Sequence, residues 1–428
     1  MNLSDDWDFR GLVQQTTNPT ILDRLSVGGV TAYIGFDPTA PSLHLGSLLQ
    51  ICLLRRLQVA GNRPIALAGG GTGLIGDPSF KDVERPLLTK EKLQENVEGI
   101  RVQLSRFLDF TPDAGPSQAL LLNNADWLTT IPLTDFLRDV GKHVTVNQMM
   151  AKDSVKSRLD RDDVGLSFTE FSYSLMQAYD FVRLNLDYNC SLQLGGSDQW
   201  GNITIGTDLV KKFTGNSVDG ITSPLLLRAD GQKFGKSEGG NERVWLDASL
   251  TSPFALHQFL LNVDDAEVPQ MLRFFTFLDH QTIEALDAAT KSAPQDRRAQ
   301  RALASAVVEL VHGQDAAANA ERAGDALFSE TINNLDQSTL LEIVADAPSS
   351  TWSRAELERG IDPVEFLVRC ELASSKGEAR RFLDQGGVYI NNVRVVGLTA
   401  IDLTSALHDH YMVVRRGRRQ LHLVVIGD

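Results

Sequence analysis

The sequence is poor in cysteine, has no long apolar run and carries less positive than negative charge. Its three cysteines, Cys52, Cys190 and Cys370, are far apart and odd in number. This argues against a disulfide framework and a zinc cluster, and we expect each cysteine to fill core space in a reducing compartment, most simply the cytoplasm. No apolar run reaches the roughly 18 residues of a membrane-spanning helix. The acidic first residues, 1–6, lack the pattern of a signal peptide.

The net charge conceals an uneven distribution. The chain has 41 Lys and Arg residues against 55 Asp and Glu residues, a net charge of −14, which is unusual for a nucleic-acid-binding protein. Residues 376–428, however, hold eight basic and five acidic residues, or +3, which leaves 33 against 50, or −17, for the other 375. Four arginines at 415–419 lie between two strand-like runs. We expect a hairpin whose crowded arginines contact phosphate groups at the turn.

A length of 428 residues predicts two or three domains. Up to about residue 244, short apolar runs alternate with helical patterns, which predicts an α/β domain with a buried parallel sheet covered on both faces. The strand-like runs are 30–35, 63–68, 118–123, 190–194 and 224–227. Residues 126–185 and 252–328 read as mainly helical, and the polar residues 348–351 suit a linker.

Residues 35–47 join the first strand-like run to a helix. Gly35 and Pro38 end the strand, and leucines spaced by three and four residues follow from Leu45. His44 and Gly46 are therefore expected on the first turn, where unpaired N–H groups and the helix dipole favour anionic oxygens. Gly46 has no β-carbon, so a nucleotide can lie against the turn.

A second motif, Lys233-Phe234-Gly235-Lys236-Ser237, places two ammonium groups on one short loop. Together with His44-x-Gly46 it resembles the ATP-binding motifs of class I aminoacyl-tRNA synthetases, His-Ile-Gly-His and Lys-Met-Ser-Lys-Ser. Ser47 stands in place of the second histidine, and Phe234-Gly235 in place of Met-Ser. From about Tyr33 to the C-terminus the chain resembles bacterial tyrosyl-tRNA synthetases. The stretches that carry this resemblance are 33–39, 73–79, 168–173 and 195–202.

Other functions remain in competition. Gly71-Thr-Gly-Leu-Ile-Gly76 satisfies the dinucleotide fingerprint of a nicotinamide-dependent reductase. Against this, Pro78 would fall inside the helix that the fingerprint must open, and a βα unit already precedes it. A Walker loop fails because Asp77 and Pro78 stand where Lys and Ser or Thr are required. We expect these glycines to bring the backbone close to an amino acid. The tryptophanyl enzyme and an RNA-binding protein that has lost catalysis are the remaining alternatives.

The resemblance implies a domain organisation. It consists of a Rossmann-like catalytic domain at 1–247 with a helical insertion at about 126–185, an all-helical anticodon-binding domain at 248–330, a linker at 331–360 and a small α+β RNA-binding domain at 361–428. The last resembles a domain shared with a ribosomal protein of the small subunit. The insertion around Phe168 is the implied interface of a homodimer.

The resemblance also implies a role for each site residue. Tyr33 and Asp180 would bind the phenol of L-tyrosine, and Gln199 would orient its carboxylate. The residues implied to hold its α-ammonium are Asp77, Tyr173 and Gln177. Those implied to bind ATP are Gly35, Asp37, His44, Gly46, Ser47, Gly196, Asp198, Lys233, Phe234, Gly235, Lys236 and Ser237, with Gly196 and Asp198 at the ribose. Those implied to stabilise the charge of the transition state are Thr39, His44, Lys81, Arg85, Lys233 and Lys236.

The implied reaction has two steps. The tyrosine carboxylate attacks the α-phosphorus of ATP, and the adenylate then passes the tyrosyl group to the terminal ribose of tRNA(Tyr). The carboxylate is already a nucleophile, so catalysis needs positioning and charge stabilisation and no general base. Mg²⁺ would arrive with ATP, with no protein metal site, no tightly bound cofactor and no membrane partner. The implied tRNA-binding residues are Lys376, Arg380, Arg381, Arg415, Arg416, Arg418 and Arg419.

Overall fold

A computed structural model describes residues 2–76, 88–150, 155, 167–226, 243–326, 330–345, 347–417 and 420–427. The chain divides into two compact units, residues 1–251 with 263–303, and residues 252–262 with 304–428. All residues predicted to bind tyrosine or ATP belong to the first unit, and all those predicted to bind tRNA belong to the second.

The first unit contains a six-stranded sheet in the order β1-β6-β5-β2-β3-β4. Its strands are β1 (Gln15–Thr16), β2 (Thr31–Phe36), β3 (Arg63–Ala68), β4 (Leu120–Asn123), β5 (Leu192–Gly196) and β6 (Asp219–Ser223). Only β1 is antiparallel to its neighbour, while the other pairs are parallel. All five residues of β5 are buried, and so are the last five of β3. The predicted buried parallel sheet is thereby confirmed.

One predicted strand is wrong. The run at 224–227 was expected to be a strand, but the last strand of this sheet is β6, which ends at Ser223. Pro224 follows directly, and because proline has no N–H it cannot continue the ladder of hydrogen bonds. The other predicted runs match strands with small shifts at their ends, and the run 63–68 matches β3 without a shift.

Helices fill much of the described parts of the predicted helical stretches 126–185 and 252–328, and others lie outside them. In chain order they are α1 (Leu3–Arg10), α2 (Ile21–Val27), α3 (Leu45–Val59), α4 (Lys90–Leu104), α5 (Ala125–Leu128), α6 (Leu133–Asp135), α7 (Val146–Met150), α8 (Phe168–Tyr188), α9 (Trp200–Thr214), α10 (Pro253–Leu261), α11 (Val268–Phe275), α12 (His280–Ser292), α13 (Arg298–His312), α14 (Gln314–Ala326), α15 (Gln337–Ile343), α16 (Arg354–Glu358), α17 (Pro363–Arg369) and α18 (Lys376–Asp384). Within these ranges, no helix is long and apolar enough to cross a bilayer.

A hydrophobic core joins one face of the first sheet to α8 and α9. Tyr33 and Ile65 come from the sheet, Phe181 from α8 and Leu209 from α9. The rings of Tyr33 and Phe181 meet edge to face with 5.2 Å between their centroids. This packing fixes α8 against β2, so that polar residues on the same helix can reach the end of the strand.

The second unit contains a five-stranded sheet in the order β7-β11-β10-β8-β9. Its strands are β7 (Ser349–Ser353), β8 (Val388–Ile390), β9 (Val393–Arg394), β10 (Tyr411–Arg416) and β11 (Gln420–Gly427). Strands β10 and β11 are antiparallel neighbours, as expected for a hairpin with arginines at its turn. The side chains of successive strand residues point to opposite faces of the sheet. Val414 accordingly packs with Trp352 and Phe366 on one face, whereas Val413 packs with Phe254 and Leu340 on the other.

The stretch 331–360, predicted to be a linker, contains α15, β7 and α16. Strand β7 pairs in parallel with β11, so it belongs to the same sheet as residues 388–427. The sheet of the C-terminal region therefore begins before residue 361, and a cut after Thr351 would fall inside β7. The boundaries at 247, 330 and 360 stay predictions.

Candidate active site

Segments that follow parallel strands form a candidate site at one edge of the first sheet. Residues 37–47 follow β2, residues 69–76 follow β3, and residues 197–199 follow β5. Because the carboxyl ends of parallel strands meet at the same edge, this arrangement gathers side chains that are distant in sequence. The predicted site residues outside the described ranges are Asp77, Lys81, Arg85, Lys233, Phe234, Gly235, Lys236 and Ser237.

Tyr33 and Asp180 are both buried, with 1% and 2% of their surfaces exposed. The hydroxyl oxygen of Tyr33 is buried and has no hydrogen-bond partner among the residues that the structure describes. Burial raises the pKa of Tyr33 well above its ordinary value, and the charge of Asp180 raises it further. A buried hydroxyl without a partner is costly, so this part of the site is suited to a ligand that supplies a polar group.

Two donors hold the carboxylate of Asp180. The indole Nε1 of Trp127 donates to Oδ1 at 2.7 Å, and Nδ2 of Asn124 donates to Oδ2 at 2.9 Å. Burial raises the pKa of Asp180 to about 7, although these two hydrogen bonds lower it, and the nearby charge of Asp37 adds to the rise. The carboxyl group is thus fixed in orientation and titrates near neutral pH.

A chain of hydrogen bonds connects Asp180 to Asp37. The hydroxyl of Tyr173 donates to Oδ2 of Asp37 at 3.0 Å, and that of Thr72 donates to Oδ1 at 3.2 Å. Asn124 donates to the hydroxyl of Thr72 at 3.0 Å as well as to Asp180. Tyr173 and Asp180 therefore enter one network from the same helix, α8, in agreement with their spacing of seven residues.

Sequence reasoning missed Asn124 and Trp127. Both follow β4 directly, and the end of that strand lies at the same edge as the ends of β2 and β3. The sequence did contain a signal for a site here, because two hydrogen-bond donors, an amide and an indole, occur in the four residues after this strand. It could not show which carboxylate they bind, because Asp180 is more than fifty residues away in sequence.

The glycine-rich segment after β3 makes room for side chains of the protein. A β-carbon at Gly69 would lie 2.4 Å from Oδ1 of Asp37, and one at Gly70 would lie 2.2 Å from Oδ1 of Asn123. Residues 72–74 form a short 3₁₀ turn in place of the helix that a dinucleotide fingerprint must open. The reductase alternative is therefore excluded. A β-carbon at Gly71 would meet Leu128 at 2.9 Å, so this glycine faces the protein itself and not an amino-acid ligand.

Gln177 and Gln199 come together from α8 and from the turn after β5. Nε2 of Gln177 donates to Oε1 of Gln199 at 3.3 Å, and Nδ2 of Asn202 donates to the same atom at 2.9 Å. A β-carbon at Gly196 would lie 2.7 Å from Oδ1 of Asp198. The carboxylate of Asp198 therefore lies against the end of β5, where only glycine fits.

His44 lies at the N-cap of α3, and its side chain makes no capping bond to the helix. The chain around it pairs with residues 244–246: the N–H of Leu45 donates to the carbonyl of Val244 at 2.8 Å, and the N–H of Leu246 donates to that of Leu43 at 2.9 Å. A β-carbon at Gly196 would also meet Leu225 at 3.0 Å. The described residues on either side of 227–242 are thus anchored at the edge where the site lies.

Four further predicted residues lie at the same edge with different surroundings. Gly35 and Thr39 are exposed, and a β-carbon at Gly35 would meet nothing within 4 Å. Gly46 is exposed on the first turn of α3, and Ser47 is half-buried with its N–H donating to the carbonyl of His44 at 2.7 Å. This part of the edge is open to a ligand.

The predicted tRNA-binding residues fall into two groups. Lys376, Arg380 and Arg381 are exposed on α18. Arg415 is only 8% exposed and donates to Asn392 and to the carbonyl of Gly417, whereas Arg416 is half-buried and donates to the carbonyl of Leu372 at 2.7 Å. The crowded charges of Arg415 and Arg416 are therefore accommodated inside the unit. Arg418 and Arg419 lie outside the described residues.

Comparisons with known proteins identify the family of this chain. Residues 27–329 match the model of the family described as tRNA synthetases class I (W and Y), and residues 340–424 match that of the tyrosine–tRNA ligase SYY-like C-terminal domain. A tyrosine–tRNA ligase of Roseiflexus castenholzii is 50% identical over 422 residues, which are 98% of this chain and 98% of that protein. One of Rhodopirellula baltica is 47% identical over 433 residues, or 100% of this chain and 97% of that protein.

A solved structure shares the fold as well as the sequence pattern. The C-terminally truncated mitochondrial tyrosyl-tRNA synthetase of Aspergillus nidulans superposes with a TM-score of 0.68 at 32% identity, covering 76% of this chain and 94% of that one. The match to a C-terminal domain specific to tyrosine–tRNA ligases sets the tryptophanyl alternative aside. The chain therefore belongs to the tyrosine–tRNA ligases, which are aminoacyl-tRNA synthetases of class I.

Proposed function

We propose that this chain activates L-tyrosine with ATP at the edge formed by β2, β3 and β5, and then transfers the tyrosyl group to the terminal ribose of tRNA(Tyr). The carboxylate of tyrosine attacks the α-phosphorus of ATP, the bond to the β-phosphate oxygen breaks, and pyrophosphate leaves. A hydroxyl of the tRNA ribose then attacks the carbonyl of the adenylate and releases AMP.

The buried hydroxyl of Tyr33 is the observation that carries this proposal. It has no partner within the described part of the chain, and the carboxylate of Asp180 is close enough to raise the pKa of Tyr33. A phenol can donate one hydrogen bond and accept another. The phenol of tyrosine can therefore accept from Tyr33, whose hydroxyl gains a partner, and donate to Asp180 beside the two hydrogen bonds that this carboxylate already accepts.

The remaining polar groups suit the two charged ends of the amino acid. We assign the α-ammonium to Asp77, Tyr173 and Gln177, and the carboxylate to Gln199. Tyr173 donates to Asp37, and a hydroxyl oxygen that donates one hydrogen bond can also accept. Asp37 was expected to bind ATP. Because its oxygens accept from Tyr173 and Thr72, we assign it instead to positioning Tyr173.

ATP is assigned to the open part of the same edge. Gly35, Gly46 and Ser47 would lie against the nucleotide, and Gly196 and Asp198 would meet the ribose hydroxyls. Thr39 and His44 would stabilise the leaving pyrophosphate, with Mg²⁺ bound to the phosphates. The other groups assigned to the phosphates are Lys81, Arg85, Lys233, Phe234, Gly235, Lys236 and Ser237. The anchoring of 243–246 beside His44 supports the assignment of 233–237.

For the second step we assign tRNA to the basic C-terminal region, with Lys376, Arg380 and Arg381 as exposed contacts. Arg418 and Arg419, which come between β10 and β11 in the sequence, are assigned to the same contact. Arg415 and Arg416 would act by shaping the turn between these two strands. The domain boundaries given above and a cytoplasmic location are part of the same proposal.

A homodimer is proposed from exposed apolar side chains in the insertion. Leu133, Val146 and Phe168 are 72%, 60% and 77% exposed, and large apolar side chains left exposed in one insertion point to a surface that a partner covers. Phe168→Asp is expected to shift sedimentation towards the monomer. Val27→Asp is the control, because Val27 is 89% exposed but lies outside the insertion. Equal behaviour of the two variants would place the interface elsewhere.

Tyrosine-dependent exchange of pyrophosphate into ATP tests the first step directly. The full chain should catalyse exchange with L-tyrosine, and much more slowly with phenylalanine or tryptophan. Charging of tRNA(Tyr) by the same preparation tests the second step. Absence of exchange with tyrosine in a folded preparation would refute the proposal.

A further inference from the structure

An arginine with no assigned role, Arg243, lies next to His44. Residues 243–246 run antiparallel to residues 43–45, with Trp245 directly opposite His44. Residues opposite each other in an antiparallel pair have side chains on the same face, and so do residues two apart along one chain. His44, Trp245 and Arg243 therefore project from the same face.

The three side chains form a stack. The rings of His44 and Trp245 meet edge to face with 6.3 Å between their centroids. The guanidinium carbon of Arg243 lies 5.6 Å from the centre of the Trp245 ring. An aromatic ring under a guanidinium limits its orientations without consuming its N–H groups, so the donors of Arg243 stay available.

The charge of Arg243 is also available. Arg243 is exposed, and no carboxylate within the described ranges forms an ion pair with it. The pairing of the two segments ends at His44, where α3 begins, so the stack of Arg243 on Trp245 lies beside the first turn of that helix. An unpaired cation beside the residues assigned to ATP is suited to an anionic ligand.

We propose that Arg243 binds the polyphosphate of ATP during tyrosine activation, with Trp245 as the platform that holds its guanidinium beside His44. This inference rests on the proposed function, because it assigns a further residue to the same ATP site. Guanidinium groups bind phosphate oxygens through two parallel hydrogen bonds. Arg243 would therefore contribute most when charge builds up on the departing pyrophosphate.

Arg243→Gln, Arg243→Lys and the control Arg24→Gln test this assignment. Arg24 is also an exposed arginine of the first unit, but it pairs with Asp219 at the start of β6, at the opposite edge of the sheet. The measurements are single-turnover formation of tyrosyl-adenylate over a range of ATP concentrations, the tyrosine concentration at half-saturation, and transfer from preformed adenylate to tRNA.

We expect Arg243→Gln to lower kcat/KM for ATP by roughly ten- to a hundredfold, the loss typical of one charge-assisted hydrogen bond. Arg243→Lys should recover part of it, and half-saturation by tyrosine and transfer to tRNA should be unchanged. Normal adenylate formation by Arg243→Gln would overturn the inference. So would a defect confined to transfer, which would mean that the arginine contacts tRNA. Failure of the unaltered chain to make adenylate would instead refute the proposed function.

Discussion

At the scale of single residues, we expect selectivity for tyrosine over phenylalanine to depend on two buried polar groups that would bind the hydroxyl of the substrate. Phenylalanine would leave both the hydroxyl of Tyr33 and the carboxylate of Asp180 without the group that we assign to them. Such loss costs more than the gain of an ordinary hydrogen bond, because the buried groups have also lost water. Discrimination thus arises from a penalty on the wrong substrate as well as from contacts with the right one.

Tyr33→Phe should lower the ratio of kcat/KM for tyrosine over phenylalanine by about tenfold, the effect of one hydrogen bond. Most of the loss should come from weaker use of tyrosine, and the rest from removal of the penalty that the unpaired hydroxyl imposes on phenylalanine. Pyrophosphate exchange with both amino acids measures the ratio. Cys190→Ala is a control for packing in the same buried cluster, and it should leave the ratio unchanged. An unaltered ratio in Tyr33→Phe would remove Tyr33 from the pocket.

Asp180 should also make stability depend on pH. Burial raises its pKa from 3.8 to about 7, so between these values the folded chain holds a proton that the unfolded chain has lost. The contribution of Asp180 to stability is therefore full below about pH 4 and is lost as pH rises through about 7. The total loss is on the order of 4 kcal/mol.

Comparison with Asp180→Asn isolates this effect from the other carboxylates. Urea unfolding at several pH values between 5 and 8 should show the wild type losing stability relative to the variant, with the difference levelling off above pH 7. At the acid end of this range the variant should be the less stable of the two, because its amide N–H₂ would oppose the donor of Asn124. Parallel curves for the two proteins would contradict the raised pKa.

At the scale of elements, the turns after parallel strands decide which side chains can meet. The sequence predicted the parallel sheet and the polar turn after β2, because apolar runs and breakers such as Pro38 are local signals. It did not predict the hydrogen bonds from Trp127 and Asn124 to Asp180, since those contacts depend on how β4 and α8 approach one another. It also predicted the last strand of this sheet at 224–227, after the position of β6, because the apolar run was given more weight than Pro224.

Gly70→Ala tests the close packing after β3. The new methyl group would lie 2.2 Å from the side chain of Asn123, and overpacking of this kind typically costs about 1–3 kcal/mol. Gly35→Ala is the matched control at the end of β2, where the methyl group would meet nothing within 4 Å. We expect a lower melting temperature for Gly70→Ala only. Gly35→Ala should keep its stability but raise KM for ATP. Equal melting temperatures would contradict the packing argument.

At the scale of the whole molecule, the two half-reactions are assigned to different units. The residues assigned to tyrosine and ATP belong to the first unit, and those assigned to tRNA belong to the second. Removal of the C-terminal residues is a poor test of this division. The sheet of the second unit shares one core with α10, α14 and α15, in which Phe254, Ala323 and Leu340 pack against Val413 and Leu423. Removal of this sheet would expose an apolar surface. A truncated protein that failed to bind tRNA could then be misfolded and not merely lack the tRNA contacts.

Neutralising exposed charges tests the division without disturbing that core. The triple variant Lys376→Gln, Arg380→Gln and Arg381→Gln should bind tRNA more weakly, and the slope of log affinity against log salt should fall by about 2, as expected when up to three phosphate contacts are lost. Pyrophosphate exchange should stay at the wild-type rate, because these side chains are exposed on α18 in the second unit. Filter binding at two or more salt concentrations, with exchange assayed on the same preparation, measures both effects.

The single variant Arg24→Gln, at the far edge of the first sheet, is the control and should alter neither. A triple variant with an unchanged salt slope would mean that tRNA contacts a different surface, whereas a simultaneous loss of exchange would mean that the two half-reactions are not divided between the units.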